Sequence, residues 1–402
     1  MTIKKLTSEE IDEFLSRTVE KIISEDDLRK KLESGQPLRI KYGVDVTAPF
    51  LHIGHAVNLW MMRRLQEAGH KVIFLIGDFT TKIGDPTGKS QTRKIISETE
   101  IKKNSEEFIK QVGKILDTDQ PVFEIRRNSE WWGKMKVDEF LSLAAMLTHA
   151  QLIERDMFQK RIKDGQEIHM HEIMYPILQG YDSLMLKSDL TIVGNDQLFN
   201  EMMGRLFQEK FGTKPQAIIT TKITPGLDGK EKQSKSLGNY IAITDTPNDM
   251  FGKIMSLPDQ LIIDYFTVYT TVPLNKINQL ADNLKTSNTN PRDIKIQLAK
   301  AIVAMYHDAG AADQAETNFI NTFQKGEIPP DIPTITIELI PMPIVDVLVK
   351  TGLIDSKSEA RRLIEQKGVK IDQQTITNPE AVITPMSGMV IQIGKRKFVR
   401  LG

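Results

Sequence analysis

The chain has 402 residues, no cysteine, and equal numbers of basic and acidic side chains, 53 of each. That length points to two or three folding units, and the missing cysteines exclude disulfides, thiolate metal sites and cysteine nucleophiles while fitting a reducing cytosol. Zero net charge keeps any nucleic-acid surface local, and neither the polar start MTIKKLTSEEIDEF nor the short apolar run Val72–Ile76 suggests a signal core or a membrane span.

Leu38–Asp45 (LRIKYGVD) reads as a strand. The following HAVNLWMMRRLQEAGH reads as a helix, with Val57, Met61 and Leu65 on one face and Gly69 as its stop. Lys71–Gly77 (KVIFLIG) then reads as a buried strand. Strand, helix and strand make a βαβ unit with a parallel sheet and a right-handed crossover. Ligands on such sheets bind beyond the carboxyl ends of the strands, so the loops after Val44 and Phe74 are expected to carry the site. Lys102–Asp164 reads as helical, with Trp131 and Trp132 near its middle, and is expected to be an insertion into the sheet domain. Pro258–Phe323 reads as all-helical; Asn290-Pro291 opens one helix with Ile294, Leu298, Ile302 and Met305 on a face. Pro329, Pro330, Pro333, Pro341 and Pro343 mark a semi-rigid linker. A small unit with a helical hairpin and short strands is expected after it.

Two segments carry chemistry. Leu51-His52-Ile53-Gly54-His55 lies where the first strand hands over to its helix. Imidazoles three residues apart share one side of a helical turn, and Gly54 leaves room for a flat group or a phosphate near the backbone. The helix N-terminus favours a polyphosphate there. Equally, the pair could cap or pack the helix, or hold zinc, although no third ligand is suggested nearby. The second segment, KQSKSLGN from Lys232, puts two lysines three apart in a Gly- and Lys-rich loop, as a mobile phosphate clamp would need. By itself it also reads as a solvated loop.

Together they say more. An HIGH sequence after the first strand, with a KxSKS loop roughly 180 residues later, resembles the signature pair of class I aminoacyl-tRNA synthetases. Within that family the chain resembles the bacterial-type tyrosyl enzymes, in order, over KYGVDVTAPFLHIGH, LIGDFTTKIGDPTGKSQTRK, YPILQGYDS, VGNDQLFN and KQSKSLGNY. The resemblance implies an α/β fold. A Rossmann-like parallel-sheet catalytic domain spans 1–243, with its helical insertion at about 102–164 and its clamp loop at 226–240. A helical anticodon-region domain (244–325), a linker (326–340) and a small α+β RNA-binding domain (341–402) follow.

It also implies roles. His52, His55, Lys89, Arg93, Lys232 and Lys235 neutralise charge on the reacting triphosphate. Asp45, Thr47, Gly54, Gly194, Asp196, Gln197, Ser234 and Ser236 hold ATP. Lys41, Gly43, Asp85, Tyr175, Gln179 and Asp182 form the tyrosine site, with Asp85 facing the ammonium and Asp182 the phenol. Lys357, Arg361, Arg362, Lys367 and Lys370 contact the tRNA backbone. Lys395-Arg396-Lys397 is a less informative basic run. ATP with Mg²⁺ is expected as substrate, with no tightly bound cofactor and no protein metal site. A cytoplasmic homodimer is expected, with the insertion around Trp131 as candidate interface. Four positions depart from the usual pattern. Gln233 replaces a methionine that mainly packs, Val46 replaces a turn proline, Val193 replaces glycine, and Lys41 replaces a tyrosine that touches the phenol. The competing readings are a tryptophanyl enzyme, a nucleotidyltransferase sharing only the histidine motif, and a catalytically weakened paralogue that regulates by binding RNA.

Overall fold

The structure is a computed structural model that describes residues 3–47, 50–86, 96–119, 121–235, 237–286, 289–322, 332–394 and 397–402. The chain divides into two compact units, Met1–Ala309 and Gly310–Gly402.

The first unit is organised by six strands: β1 (Val19–Ile23), β2 (Arg39–Val44), β3 (Lys71–Ile76), β4 (Phe123–Arg127), β5 (Leu190–Gly194) and β6 (Ala217–Thr221). They lie in the order β1-β6-β5-β2-β3-β4, all parallel except β1, which runs antiparallel to β6. Val72–Ile76 is buried throughout, as a strand covered on both faces must be. From β2 the chain builds outward through β3 to β4, then returns to the other flank with β5 and β6. The order therefore reverses between β2 and β5, and a crevice opens at their carboxyl ends. The connecting helix Ile53–Glu67 ends just before Gly69, whose φ of 91° only glycine adopts cheaply.

β4 corrects the expectation of a helical run over Lys102–Asp164. Phe123-Glu-Ile-Arg-Arg is a short, half-exposed edge strand pairing with β3. Five residues of strand between longer helical segments give too little alternation to read from sequence. On the far flank, helices Met170–Met185 and Leu198–Lys210 pack closely through small residues. A Cβ on Gly180 would meet Met203 Cβ at 2.8 Å, and one on Gly204 would meet Ser183 Oγ at 2.6 Å. This contact fixes the face that presents Tyr175, Gln179 and Asp182. Helices Pro247–Met255, Ile262–Tyr269, Leu274–Lys285 and Pro291–Tyr306 complete this part of the unit. Asn290 caps the last of them, and Ile294, Leu298 and Ile302 are buried on its inner face.

In the second unit, helices Ile344–Lys350 and Lys357–Glu365 pack on a small sheet. Val390–Ile393 pairs antiparallel with Val369–Ile371 and Lys397–Leu401. Thr334–Ile335, in the stretch expected to be linker, is a strand parallel to Lys397–Leu401. Ile344, Leu348, Ile364, Val369, Ile391 and Val399 form its core.

Replacing Gly180 by alanine should force the two packed helices apart and cost about 1–3 kcal/mol. A thermal-unfolding midpoint unchanged from that of the unaltered chain would show that the helices do not meet there.

Candidate active site

A cavity of about 400 Å³ opens at the carboxyl ends of β2 and β5. The β2 turn and its helix bring Asp45, Thr47, His52, Gly54 and His55 to it, and the end of β5 brings Gly194, Asp196 and Gln197. Helix Met170–Met185 contributes Tyr175, Gln179 and Asp182. Lys41, Gly43, Asp85 and Lys232 complete the set anticipated from sequence. Lys235 stands at the edge, its Nζ 5.3 Å over the ring of Phe50, which lines the cavity. Ser234 is held through its N–H by Asn239 Oδ1 at 2.9 Å. Lys89, Arg93 and Ser236 lie outside the described residues.

His52 is the N-cap of its helix and His55 the third residue in, and their ring centroids are 3.7 Å apart. Gly54 N–H donates to His52 Nδ1 at 3.1 Å, and His52 N–H donates to His55 Nδ1 at 3.4 Å. Each Nδ1 is thus an acceptor, which assigns the ring proton to Nε2 in both. Glycine is required at 54 because a Cβ there would lie 2.9 Å from the His52 ring. The space left by Gly54 is therefore partly taken by that ring. Burial, then the neighbouring His55 and Lys232, push His52 down to about 2, and burial and then Lys232 push His55 down to about 4. This corrects the expectation that the pair supplies positive charge. At neutral pH it supplies two N–H donors, and the described lysines supply the charge.

The lysine loop is tied to the histidine segment by its own downstream end. Ile53 N–H donates to Ile241 C=O at 3.0 Å, and Ile243 N–H donates to Leu51 C=O at 3.1 Å. Lys232 Nζ lies 3.7 Å from Asp196 across the cavity mouth. Gln233, expected mainly to pack, is buried and hydrogen-bonded: its Nε2 donates to the Tyr269 hydroxyl at 3.0 Å, and its Oε1 accepts from Ile241 N–H at 3.4 Å. An amide in this place has to satisfy its polar atoms, which a methionine would not. Asn239, given no role from sequence, staples the loop by donating to Asp228 and to the carbonyls of Glu231 and Lys232.

At the other end lies Asp182. Its Oδ1 accepts from the indole N–H groups of Trp131 and Trp132, each at 2.9 Å, and its Oδ2 accepts from Asn128 Nδ2 at 3.3 Å. Sequence reasoning missed these three donors. Both indoles are buried in the first unit's core. The adjacent Trp-Trp pair was the available signal, since a buried indole N–H needs an acceptor. Burial pushes Asp182 up to about 7, opposed by the Lys41 ammonium and then by Trp132, Trp131 and Asn128. Tyr175 donates its hydroxyl to Asp45 Oδ2 at 2.9 Å. Gln197 Nε2 donates to Asp85 at 2.8 Å, and Gln179 Nε2 donates to Glu201 at 2.8 Å. Glu201 was also missed; it pairs with Lys41 at 2.7 Å.

Residues 10–324 match the family described as tRNA synthetases class I (W and Y), and residues 342–388 match the S4 domain. The chain belongs to the class I tRNA synthetases. It is similar to a tyrosine–tRNA ligase of Moorella thermoacetica, 46% identical over 392 residues that cover 96% of this chain and 94% of that protein. Its fold is similar to that of a truncated Aspergillus nidulans mitochondrial tyrosyl-tRNA synthetase, with a TM-score of 0.64 at 20% identity over 78% of this chain and 94% of that one. It is also similar in fold to a Plasmodium falciparum tryptophanyl-tRNA synthetase, with a TM-score of 0.58 at 17% identity over 78% of this chain and 90% of that one.

In this synthetase the S4 match contains Lys357, Arg361, Arg362, Lys367 and Lys370, all exposed. Lys357 pairs with Asp346 at 2.5 Å and Arg361 with Glu380 at 3.3 Å, so two of the five cations already have carboxylate neighbours.

Unfolded imidazoles titrate near 6.5, above His52 and His55 in the fold, so unfolding takes up protons as the pH falls. Stability should therefore decline from about pH 6.5 through 4 and on towards 2. Nitrogen-detected NMR should find both rings as the Nε2–H tautomer at pH 7. Protonated rings at pH 7 would refute the neutral pair.

Proposed function

We infer that the chain activates L-tyrosine with ATP to tyrosyl-adenylate and pyrophosphate, then transfers tyrosine to tRNA(Tyr). The observation that carries this reading is that His52, His55 and Lys232, distant in sequence, line one cavity with the buried Asp182.

In the first step a tyrosine carboxylate oxygen attacks the α-phosphorus of ATP, and the bond to pyrophosphate breaks. The carboxylate is already ionised, so positioning and charge neutralisation do the work and no general base is needed. We assign to the Nε2–H groups of His52 and His55 hydrogen bonds to the phosphates. Lys232 and Lys235, joined by Lys89 and Arg93, carry the neutralising charge. For this Lys232 exchanges Asp196 for phosphate, and Lys235 leaves the Phe50 ring. Mg²⁺ enters bound to the triphosphate, as part of the substrate. Asp45, Thr47, Gly54, Gly194, Gln197, Ser234 and Ser236 are proposed to hold the nucleotide with Asp196.

Tyrosine is proposed to lie with its ammonium towards Asp85, Tyr175 and Gln179 and its phenol towards Asp182, beside Gly43. Three donors fill about three of the roughly four acceptor directions of the Asp182 carboxylate, leaving room for a substrate hydroxyl. Phenylalanine would leave that acceptor buried and unpaired. In the second step a terminal ribose hydroxyl of the tRNA attacks the activated carbonyl and AMP leaves. The S4 match and its exposed cations support a backbone contact with the tRNA. A homodimer in the cytoplasm remains part of the proposal. With the histidine pair, Lys232 and Asp182 at one cavity, no specific observation favours a regulator without activity.

Two experiments test these roles. Lys235→Ala should lower kcat for tyrosine-dependent pyrophosphate exchange by about 10²–10³, with little change in tyrosine KM; a normal rate would remove the loop from the chemistry. For Asp182, protonation weakens the acceptor and puts an O–H where the substrate hydroxyl donates, so kcat/KM for tyrosine should drop as the pH falls through about 7. Asp182→Asn should abolish that limb and let phenylalanine compete. Unchanged selectivity would take Asp182 out of the pocket.

A further inference from the structure

We propose that Lys41 is a specificity-determining residue: its ammonium, anchored by Glu201 and Ser183 in the floor of the cavity, keeps the adjoining Asp182 carboxylate charged, so that the site selects a substrate hydroxyl. The inference rests on the tyrosine reading above and names the group that sets the selection.

Lys41 sits in the middle of β2 between the buried Ile40 and Tyr42, and its own side chain is only 2% exposed. An ammonium in such a place is costly, and an apolar residue would serve the sheet better. It is held by two hydrogen bonds, to Ser183 Oγ and to Glu201 Oε2, each at 2.7 Å. A lysine has three N–H donors. The third has no partner among the described residues, and Lys41 lines the cavity. Glu201 is fixed in turn by Gln179 at 2.8 Å and Gln216 at 2.9 Å. The ammonium therefore cannot drift away from the pocket floor.

Asp182 directly precedes the Ser183 that receives Lys41. The groups around Asp182 come from several elements. β2 gives Lys41, and the helix that carries Asp182 gives Tyr175. Glu201, on helix Leu198–Lys210, and Asp45, just after β2, line the same cavity. Asn128, Trp131 and Trp132 are neutral donors. Lys41 is the cation among these. Without it, the buried Asp182 and Glu201 would line one cavity with no cation between them, and buried carboxylates resist ionising together. Asp182 is buried, and burial already drives it towards the neutral acid, with Lys41 the largest influence opposing that rise. A neutral acid loses much of the cost of being left beside an apolar ring, and with it the means to reject phenylalanine.

The test uses the full-length chain in tyrosine-dependent pyrophosphate–ATP exchange, with kcat/KM measured from about pH 5.5 to about pH 10 for tyrosine and phenylalanine. Lys41→Met removes the cation. Because that variant strands Glu201 and can misfold, Lys41→Met combined with Glu201→Gln removes both charges. In both, the acidic limb abolished by Asp182→Asn should move up by about 1–3 pH units, and discrimination against phenylalanine should fall about 10- to 100-fold. If the double variant melts at the temperature of the unaltered chain and regains its limb and discrimination, Lys41 only neutralises Glu201 and the inference is overturned. If the unaltered chain shows no tyrosine-dependent exchange, the functional reading fails and takes this inference with it.

Discussion

The antiparallel contact between Leu51–Ile53 and Ile241–Ile243 is two backbone hydrogen bonds wide, yet the site is built on it. It returns a distant segment of chain to the N-terminus of the helix that carries His52 and His55. Lys232 and Gln233 line the cavity with that helix end, and Lys235 lies against Phe50 beside it. Gln233 adds a second anchor through the Tyr269 hydroxyl, and Asn239 closes the loop on itself. A loop tethered at its base and stapled across its neck keeps its place while its lysine side chains reorient, which suits the triphosphate clamp proposed for it.

The cavity divides its electrostatics between two ends. At the phosphate end, the buried rings are neutral and act as fixed donors, while the charge sits on long side chains nearer solvent. This arrangement avoids stranding imidazolium ions in a dry site before substrate arrives. At the amino-acid end the reverse holds. Fixed charges are buried, but each is tied: Lys41 to Glu201 and Ser183, and Asp182 to two indoles and an amide. Mobile charge suits the end where negative charge grows during reaction, and immobile charge suits the end that must discriminate between side chains of the same shape.

Much of this was legible in the residues. The βαβ unit declared itself because a strand-like segment and the apolar run of β3 flank one helix, and the ligand crevice followed from parallel-sheet geometry. The chemical segments were legible because they are contiguous: HIGH, KQSKS and YPILQGYDS each bring several site residues at fixed spacing. What stayed hidden was non-local. β4 is short and lies at an edge, where its weak alternation is overwhelmed by the helices around it. Trp131, Trp132 and Asn128 reach Asp182 from about 50 residues away, and no local pattern links them. Glu201 lies just outside the quoted VGNDQLFN segment, and no local spacing ties it to Lys41. Protonation was hidden too, because a histidine's charge depends on burial and neighbours that only the folded chain supplies.

Tyrosyl and tryptophanyl enzymes share this fold, so the sheet, the crevice and the phosphate machinery cannot by themselves choose the amino acid. The choice must lie in polar groups at the blind end of the cavity, and those groups are few. A phenol differs from a benzene ring by one hydroxyl, which an apolar wall would barely notice. An enclosed carboxylate with an unfilled acceptor direction does notice, because its desolvation has been incurred in folding and is offset fully only when a donor arrives. The indoles and the amide hold that carboxylate in place but leave it incompletely satisfied. On the proposed reading, specificity on this scaffold rests on a buried charge that the fold keeps slightly short of partners.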